Sequence, residues 1–313
     1  MRLSAVHTYP VKGGRRRDHD AAPVLPWGLA GDRRWMLVDA AGIGITQREV
    51  SSLVALHAVA RVGGLTLRAA GHPDLDVAEP VDGAPIAVRT FRSRKLDVWA
   101  HAAGPAAETW VSRFLGRPAR LVWLARPARH IPAADREHDP GDQVTFADEA
   151  PILLASTASL AALNGWLAEA GEPPVPMTRF RPNLVVTGAP AWAEDDWAGR
   201  PVRIGGVTFR AAGPAGRCVV TTTDQETGIR GKEPLVTLGR YRNVRQKLRF
   251  GLHLVPVGTG WVAVDDEVVP AAGPQAGSAG SPLTPGAADH PSRSSPPGPS
   301  LILRAGRRSG RAT

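Results

Sequence analysis

Short apolar runs of strand length, cut repeatedly by glycine and proline, recur along most of this chain and limit what it can fold into. Arg34–Asp39 (RWMLVD) is the strongest of them. It is followed by Ala-Ala-Gly and then by a second run, Ile43–Gln47, the pattern of a hairpin joined by a short glycine-containing loop. Leu53–Ala60, Leu65–Arg68, Ile86–Val88, Leu184–Thr187, Val202–Ile204, Val207–Ala211 and Arg217–Thr221 also read as strands, with Gly205-Gly206 as a turn between two of them. Helical periodicity is confined to two segments. In Pro105–Leu115 it places Ala106, Trp110, Val111 and Phe114 on one face, and in Ser156–Ala170 Leu160, Leu163, Trp166 and Leu167. Gly116 and Gly171 stop them, and Ser156 or Thr157 serves as the N-cap of the second. Many strands with few helices predict a mainly β, α+β fold: β-barrel cores with helical decorations.

The 313 residues allow one large domain or two ordinary ones. A charged, proline-rich stretch, 126–142, divides the body into a strand-rich part (1–125) and a second part (126–270). Residues 271–313 are rich in Pro, Gly, Ser and Ala and are expected to be a disordered tail, because they cannot bury enough apolar surface to offset their ordering entropy. That tail carries +4 of the net +9 charge. The remaining excess is mild and scattered among acids, which argues against a nucleic-acid partner. No apolar run reaches eighteen residues, so no membrane span is expected. The N-terminus MRLSAVHTYPVKGG has no apolar core of a signal peptide, and a cytoplasmic location is the expectation.

The candidate chemistry centres on Cys218, in AGRCVVTTTDQETG. It is the sole cysteine, so it forms no internal disulfide. A lone thiol packs as a small hydrophobe or acts as a reactive or metal-binding thiolate. Zinc-type spacing is absent: no His pair fits, and His130 and His138 sit far apart in the charged stretch. Cations, however, recur where loops meet apolar strands: Lys12 in YPVKGG, Arg33 in GDRRWMLVD, Arg179 and Arg181 in RFRPNLVV, and Arg217 beside the cysteine. Cationic positions at strand edges around one thiol suit a polyanionic ligand such as a phosphate-bearing cofactor, for which the planar guanidinium fork is well shaped. The N-terminus of the 156–170 helix offers further N–H donors.

The stretches YPVKGG (9–14), GDRRWMLVD (31–39), ITQR (45–48), FADEAPILLASTASLAALN (146–164), RFRPNLVVTG (179–188), AEDDW (193–197), GRCVVTTTDQETG (216–228) and EPLVTLGRYR (233–242) follow one another in this order over nearly the whole body. Together they resemble the MOSC family, and more closely its branch of amidoxime-reducing components. The resemblance implies a smaller N-terminal β-barrel domain followed by a MOSC β-barrel domain, with a molybdenum cofactor (a pterin dithiolene with a terminal phosphate) between them. It implies Cys218 as the protein ligand to molybdenum. Lys12, Arg33, Arg181, Asn183 and Arg217 are implied as holders of the pterin and phosphate, with Ser156 and Thr157 as further positions that equally well only cap their helix. Asp195, in AEDDW, resembles an acidic position near the site, where it relays a proton or merely pairs with an arginine. Thr221, Thr222 and Asp224 shape the metal pocket or serve as turn residues. Gly13 stands where relatives often carry serine.

The activity implied is oxygen-atom removal from small N-hydroxylated compounds of the amidoxime or hydroxylamine type. No cysteine follows Cys218, so no iron–sulfur cluster is expected in this chain. Electrons are expected from a separate ferredoxin-, flavoprotein- or cytochrome-type donor. Two other readings stand beside this one. In one, the chain is a carrier or sulfur-transfer module in which Cys218 bears a persulfide supplied by a separate desulfurase. In the other, it is a binding barrel in which Cys218 is core.

Overall fold

The computed structural model of the chain describes residues 1–90, 98–127, 129–130 and 141–272. All but the first two residues of the predicted tail, His138 and most of the 126–142 stretch lie outside the described residues. What is described is mainly β, with helices α1 (Pro105–Leu115), α2 (Thr157–Glu169) and α3 (Leu235–Tyr241). Among the described residues no helix is long and apolar enough to cross a membrane.

The largest sheet runs, edge to edge, through Arg17–His19, Arg2–Thr8, Leu184–Thr187, Ile152–Ser156, Lys247–Pro256, Val207–Gly216, Pro201–Ile204 and Val268–Pro270, and Asn243–Val244 pairs onto Lys247–Pro256. Ile152–Ser156 and Leu184–Thr187 are parallel, joined by a crossover that contains α2. The N-terminal strand is therefore embedded in a sheet built chiefly from the second half of the chain. A four-stranded sheet takes Trp35–Val38, Arg120–Trp123, Val98–Ala102 and Ile86–Val88 in order.

The four residues Trp35–Val38 are all buried, which is why their sequence is a continuous apolar run instead of an alternation. Period-2 geometry still sorts them. Trp35 and Leu37 enter a core with Leu53, Trp110, Val111 and Leu121, whereas Met36 and Val38 enter another with Val88, Val98, Val122 and Phe146. Helix α1 covers the first of these cores through Ala107, Trp110 and Val111. Its C-cap Gly116 takes φ 68°, the left-handed conformation that glycine adopts without a Cβ clash. Leu3, Val6, Ile152, Leu154, Leu184, Phe209, Leu252 and Leu254 form the core of the large sheet. Each such apolar side chain contributes roughly 1.5–3 kcal/mol by leaving water. Helices α2 and α3 pack Leu163, Leu167 and Leu238 against Phe180 and Phe250.

Three strand expectations are corrected. Ile43–Gln47 pairs only through isolated bridges, Val38 with Gly44 and Ile43 with Arg89, because Asp39 turns the loop by accepting bonds from the Ala41 and Ile43 N–H groups at 2.9 and 2.8 Å. Leu53–Ala60 is a 3₁₀ turn, Ser51–Ala55, followed by the strand His57–Arg61. Arg217–Thr221 is not a strand: the 207–216 strand stops at Gly216 and a 3₁₀ turn occupies Val219–Thr222. There the Thr221 and Thr222 hydroxyls donate back to the Cys218 and Val219 carbonyls at 2.9 and 2.8 Å. These local bonds override the β preference of a Val-Val-Thr-Thr run. The predicted helices are observed, with Ser156 as the N-cap of α2.

Gly251 lies in the long strand Lys247–Pro256 at φ +78°, and a Cβ built on it would stand 2.6 Å from the Leu154 carbonyl oxygen of the neighbouring strand. Gly251→Ala is expected to lower unfolding stability by at least about 1 kcal/mol. Gly258→Ala, with open space around it, is expected to change it by less than about 0.5 kcal/mol. Urea denaturation of the two variants checks the difference.

Candidate functional site

Three backbone segments converge at one place. Residues 9–12 run beside 33–35: Arg33 N–H donates to Tyr9 O at 2.8 Å, and Lys12 N–H donates to Trp35 O at 2.8 Å. Phe146 N–H donates to Arg33 O at 3.0 Å and brings in the 146–150 segment. Arg33 and Arg181 both sit in the left-handed region, at φ 47° and 55°, a conformation costly for side chains with a Cβ. These bends occur where the chain turns at the wall of a cavity of about 410 Å³.

The cavity wall holds Cys218 together with six cationic side chains (Lys12, Arg33, Arg48, Arg181, Arg217 and Lys247) and two carboxylates, Asp148 and Glu149. Asn183, Gln47, Phe180 and His253 also contribute. Lys12, Arg33, Arg181, Asn183, Arg217 and Cys218, the positions singled out in the sequence, are thus brought together. Cys218 is partly exposed, and Arg48 Nη2 donates to its Sγ at 3.5 Å.

Interior acceptors fix Lys12, Arg33, Arg48, Arg181 and Arg217. Lys12 Nζ donates to Phe146 O at 2.6 Å and to Asp148 Oδ1 at 2.5 Å, while Arg48 Nη2 reaches Asp148 Oδ2 at 3.1 Å. Arg33 pairs with the buried Asp32 and donates to Asn183 Oδ1 at 3.1 Å. Asp32 in turn accepts from Tyr9 N–H at 2.7 Å. The Asn183 side chain is shared further: Oδ1 accepts from Leu153 N–H at 3.2 Å and Nδ2 donates to His7 O at 3.1 Å, which ties the cavity to three strands of the large sheet. Arg181 Nη1 donates to Gln225 Oε1 at 2.8 Å, and Gln225 and Gln47 bond each other's amides at 3.0 and 3.1 Å. The Arg33 and Arg181 guanidiniums both lie over the Tyr9 ring, 4.5 and 4.1 Å from its centroid.

Burial draws the Arg181 guanidinium down to about 10, and that of Arg217 to about 10 as well, with Arg33 adding like-charge repulsion in both. Both remain cationic near neutral pH. Burial pushes the Tyr9 hydroxyl up to about 12, so it stays protonated and donates to Pro182 O at 3.1 Å. Burial by itself raises the Asp148 carboxyl, but Lys12 and Arg48 overcome it and hold it well below the usual carboxylate range. Among the described residues, two buried donors on the cavity's cations, Arg181 Nη2 and Arg217 Nε, have no hydrogen-bond partner. Buried unpartnered donors are costly, and an anionic or acceptor-rich ligand in the cavity would satisfy them.

Other expected site residues lie elsewhere. Ser156 is fully buried and caps α2, accepting from Ser159 N–H at 3.5 Å. Thr157 is exposed, and its hydroxyl donates to Thr187 Oγ1 at 3.2 Å. Neither lines the cavity. Asp195 is also absent from the wall: it pairs with Arg242, whose guanidinium is held 4.3 Å over the Trp192 ring. That geometry matches the arginine-partner alternative for Asp195 and places it outside the cavity wall. Asp224 makes a turn, its Oδ1 accepting from Glu226 and Thr227 N–H at 3.0 and 2.9 Å. The sequence reading passed over Arg48, Asp148, Glu149, Gln47, Gln225 and His253. All but His253, which lies in the strand Lys247–Pro256, fall within the family-like stretches ITQR, FADEAP and TTTDQETG, but no spacing rule singles them out.

Family models match on both halves: a MOSC N-terminal beta barrel domain over residues 1–118 and a MOSC domain over residues 141–269. Mitochondrial amidoxime-reducing component 1 of Homo sapiens is 34% identical, over 83% of this chain and 80% of that protein. The protein of the same name from Danio rerio is 31% identical, over 75% and 72%. Molybdenum cofactor sulfurase of Oryza sativa is 29% identical over 81% of this chain, which spans only 32% of that longer protein.

The Asp148 bridge carries a pH dependence. Its folded-state pKa lies below the ordinary value of 3.8, so the bridge stabilises the fold above that value. Its contribution is lost as pH falls from about 4 through the lower folded value. In denaturation measured between pH 7 and pH 2, the native chain is expected to lose stability on the acid side more steeply than Asp148→Asn. Parallel curves would show that Asp148 does not bridge its two cations in solution.

Proposed function

The chain belongs to the MOSC family, and from its cavity we propose that it is a molybdenum-cofactor-dependent oxidoreductase that reduces small N-hydroxylated compounds. The observation that carries this reading is the meeting of the sole thiol with six cations in one cavity, two of them with buried N–H groups that lack a partner among the described residues. The donor set fits such a cofactor. A thiolate is a soft ligand for a metal already held by dithiolene sulfurs, and guanidinium forks suit a terminal phosphate. In this reading Cys218 is the molybdenum ligand. Arg33, Arg181, Arg217, Lys12 and Asn183 hold the pterin and its phosphate.

When bound, the cofactor supplies two-electron removal of oxygen from the substrate. The protein's own part is positional. Asp148 fixes Lys12 and Arg48, and Arg48 gives the Cys218 sulfur a cationic donor. Asn183 locks Arg33 against the sheet. Tyr9, beneath two guanidiniums, supplies an aromatic face that spaces two like charges. The amidoxime-reducing names of the relatives support the substrate class, and a separate electron-transfer protein is the expected donor.

The sulfurase relative keeps a second reading in view, in which Cys218 carries a persulfide handed on by a desulfurase. Whole-protein mass of the purified chain separates the two, since a persulfide adds one sulfur atom to Cys218.

Protein made in a host that synthesises molybdenum cofactor is expected to contain molybdenum and pterin and to reduce benzamidoxime with an added reductant. Cys218→Ala should keep its fold and lose turnover to background. Arg181→Gln should retain pterin about 10–100-fold less tightly, the loss expected for one charge-assisted hydrogen-bond donor. Full turnover by the alanine variant would refute the role of the thiol.

A further inference from the structure

The most basic segment of the described chain is not explained by the cavity alone. Residues 240–249, RYRNVRQKLR, hold five cations and no carboxylate. They leave α3 and form a tight hairpin, Asn243–Val244 pairing with Lys247–Leu248 around a two-residue turn, Arg245-Gln246. Both turn residues have positive φ, 49° and 61°. A two-residue hairpin turn of this kind normally takes Asn-Gly or Asp-Gly, so an Arg-Gln pair bears backbone strain that its local sequence does not justify.

One side of this hairpin faces the candidate site. Gln246, Lys247 and Leu248 line the same cavity as Cys218. Arg240, Tyr241, Asn243, Val244 and Arg245 are exposed. Tyr241 and Val244 are each 50% exposed, and the exposed Arg240 and Arg245 flank them. Arg242 is folded inward over Trp192 and paired with Asp195. The platform is rigid, because Tyr241 stacks on Trp166 at 4.5 Å and Trp166 stacks on Trp192 at 5.2 Å. An apolar centre with a cationic border on a preorganised support has the anatomy of a protein-docking patch.

We propose that this hairpin is the docking surface for the electron donor, and that the donor is a small acidic redox protein of the flavodoxin or ferredoxin class. The identity of the partner rests on the reductase reading above; the surface itself does not. Charge complementarity selects an acidic partner and speeds its encounter. The position of the hairpin, in the wall of the cavity that holds Cys218, brings a docked donor next to the centre it must reduce. Converting R–NH–OH to R–NH₂ and water consumes two electrons and two protons. The donor delivers the electrons in two one-electron encounters, and solvent supplies the protons.

The test uses the full cofactor-loaded chain, an acidic flavodoxin as probe, and the double variant Arg240→Glu/Arg245→Glu. Neither arginine lines the cavity. By calorimetry at low salt the native chain is expected to bind flavodoxin, and the double variant at least about 10-fold more weakly. The KM for flavodoxin should rise by a similar factor, while turnover driven by reduced methyl viologen stays at the native rate. Affinity should fall with salt in the native chain and barely change in the variant. Arg240→Gln/Arg245→Gln should lie between them.

Unchanged flavodoxin binding by the double variant would overturn the proposal, as would no binding by the native chain. Binding of the native chain to phosphatidylglycerol vesicles in place of flavodoxin would also overturn it, by making the patch a lipid contact. If charge reversal abolishes flavodoxin binding but neither reductant drives turnover in the native chain, the docking surface stands and the reductase reading falls. If viologen drives turnover and charge reversal leaves binding intact, the reverse holds.

Discussion

The carboxylate of Asp148 holds Lys12 and Arg48 in one place, and the rest of the candidate site is arranged around that bridge. The two cations come from separate parts of the chain, one just after the first strand and one after the 43–47 segment, and like charges do not assemble unaided. Asp148 accepts from both, and Arg48 then reaches the Cys218 sulfur. A second carboxylate, the buried Asp32, performs the same service for Arg33. Each carboxylate serves cations held largely out of water, where an unpaired charge would be prohibitive. The cavity wall keeps an excess of positive charge, and Arg181 Nη2 and Arg217 Nε have no hydrogen-bond partner among the described residues.

The β framework supplies the precision for this arrangement. Asn183 shows how: its backbone and side chain bond Leu153, His7 and Arg33, so that one residue registers the cavity against three neighbouring strands. The parallel pair Ile152–Ser156 and Leu184–Thr187, buried in the sheet, holds that register from beneath. Cys218 lies just beyond the last residue of the long strand 207–216, where the threonine hydroxyls fold the chain into a short turn. Functional groups at strand ends on a rigid sheet are placed more exactly than groups on long loops.

Much of this was legible in the residues. RWMLVD reads as a strand, Ser156 or Thr157 as an N-cap, and both long helices appear where their periodicity puts them. The thiol, Arg33 of GDRRW, Arg181 of RFRPN and Arg217 of RC are observed in one cavity, whereas Arg179 does not line it and pairs with Asp224. What could not be read was set by contacts between distant segments or by side chains bonding their own backbone. The Val-Val-Thr-Thr run carries strand propensity, yet its hydroxyls turn it. Asp148 and Arg48 stand 100 residues apart and announce nothing until the fold brings them together. Asp195 resembles a family position, and only the fold shows that it pairs with Arg242. Arg245-Gln246 has no turn composition, so the basic hairpin was invisible as a hairpin.

The central claim is that Cys218 binds molybdenum in a cofactor held by the surrounding cations. Molybdenum X-ray absorption on protein from a cofactor-competent host tests it most directly. The account predicts a molybdenum–sulfur shell in the native protein that loses one sulfur neighbour in Cys218→Ser. An identical sulfur shell in the two proteins would contradict it.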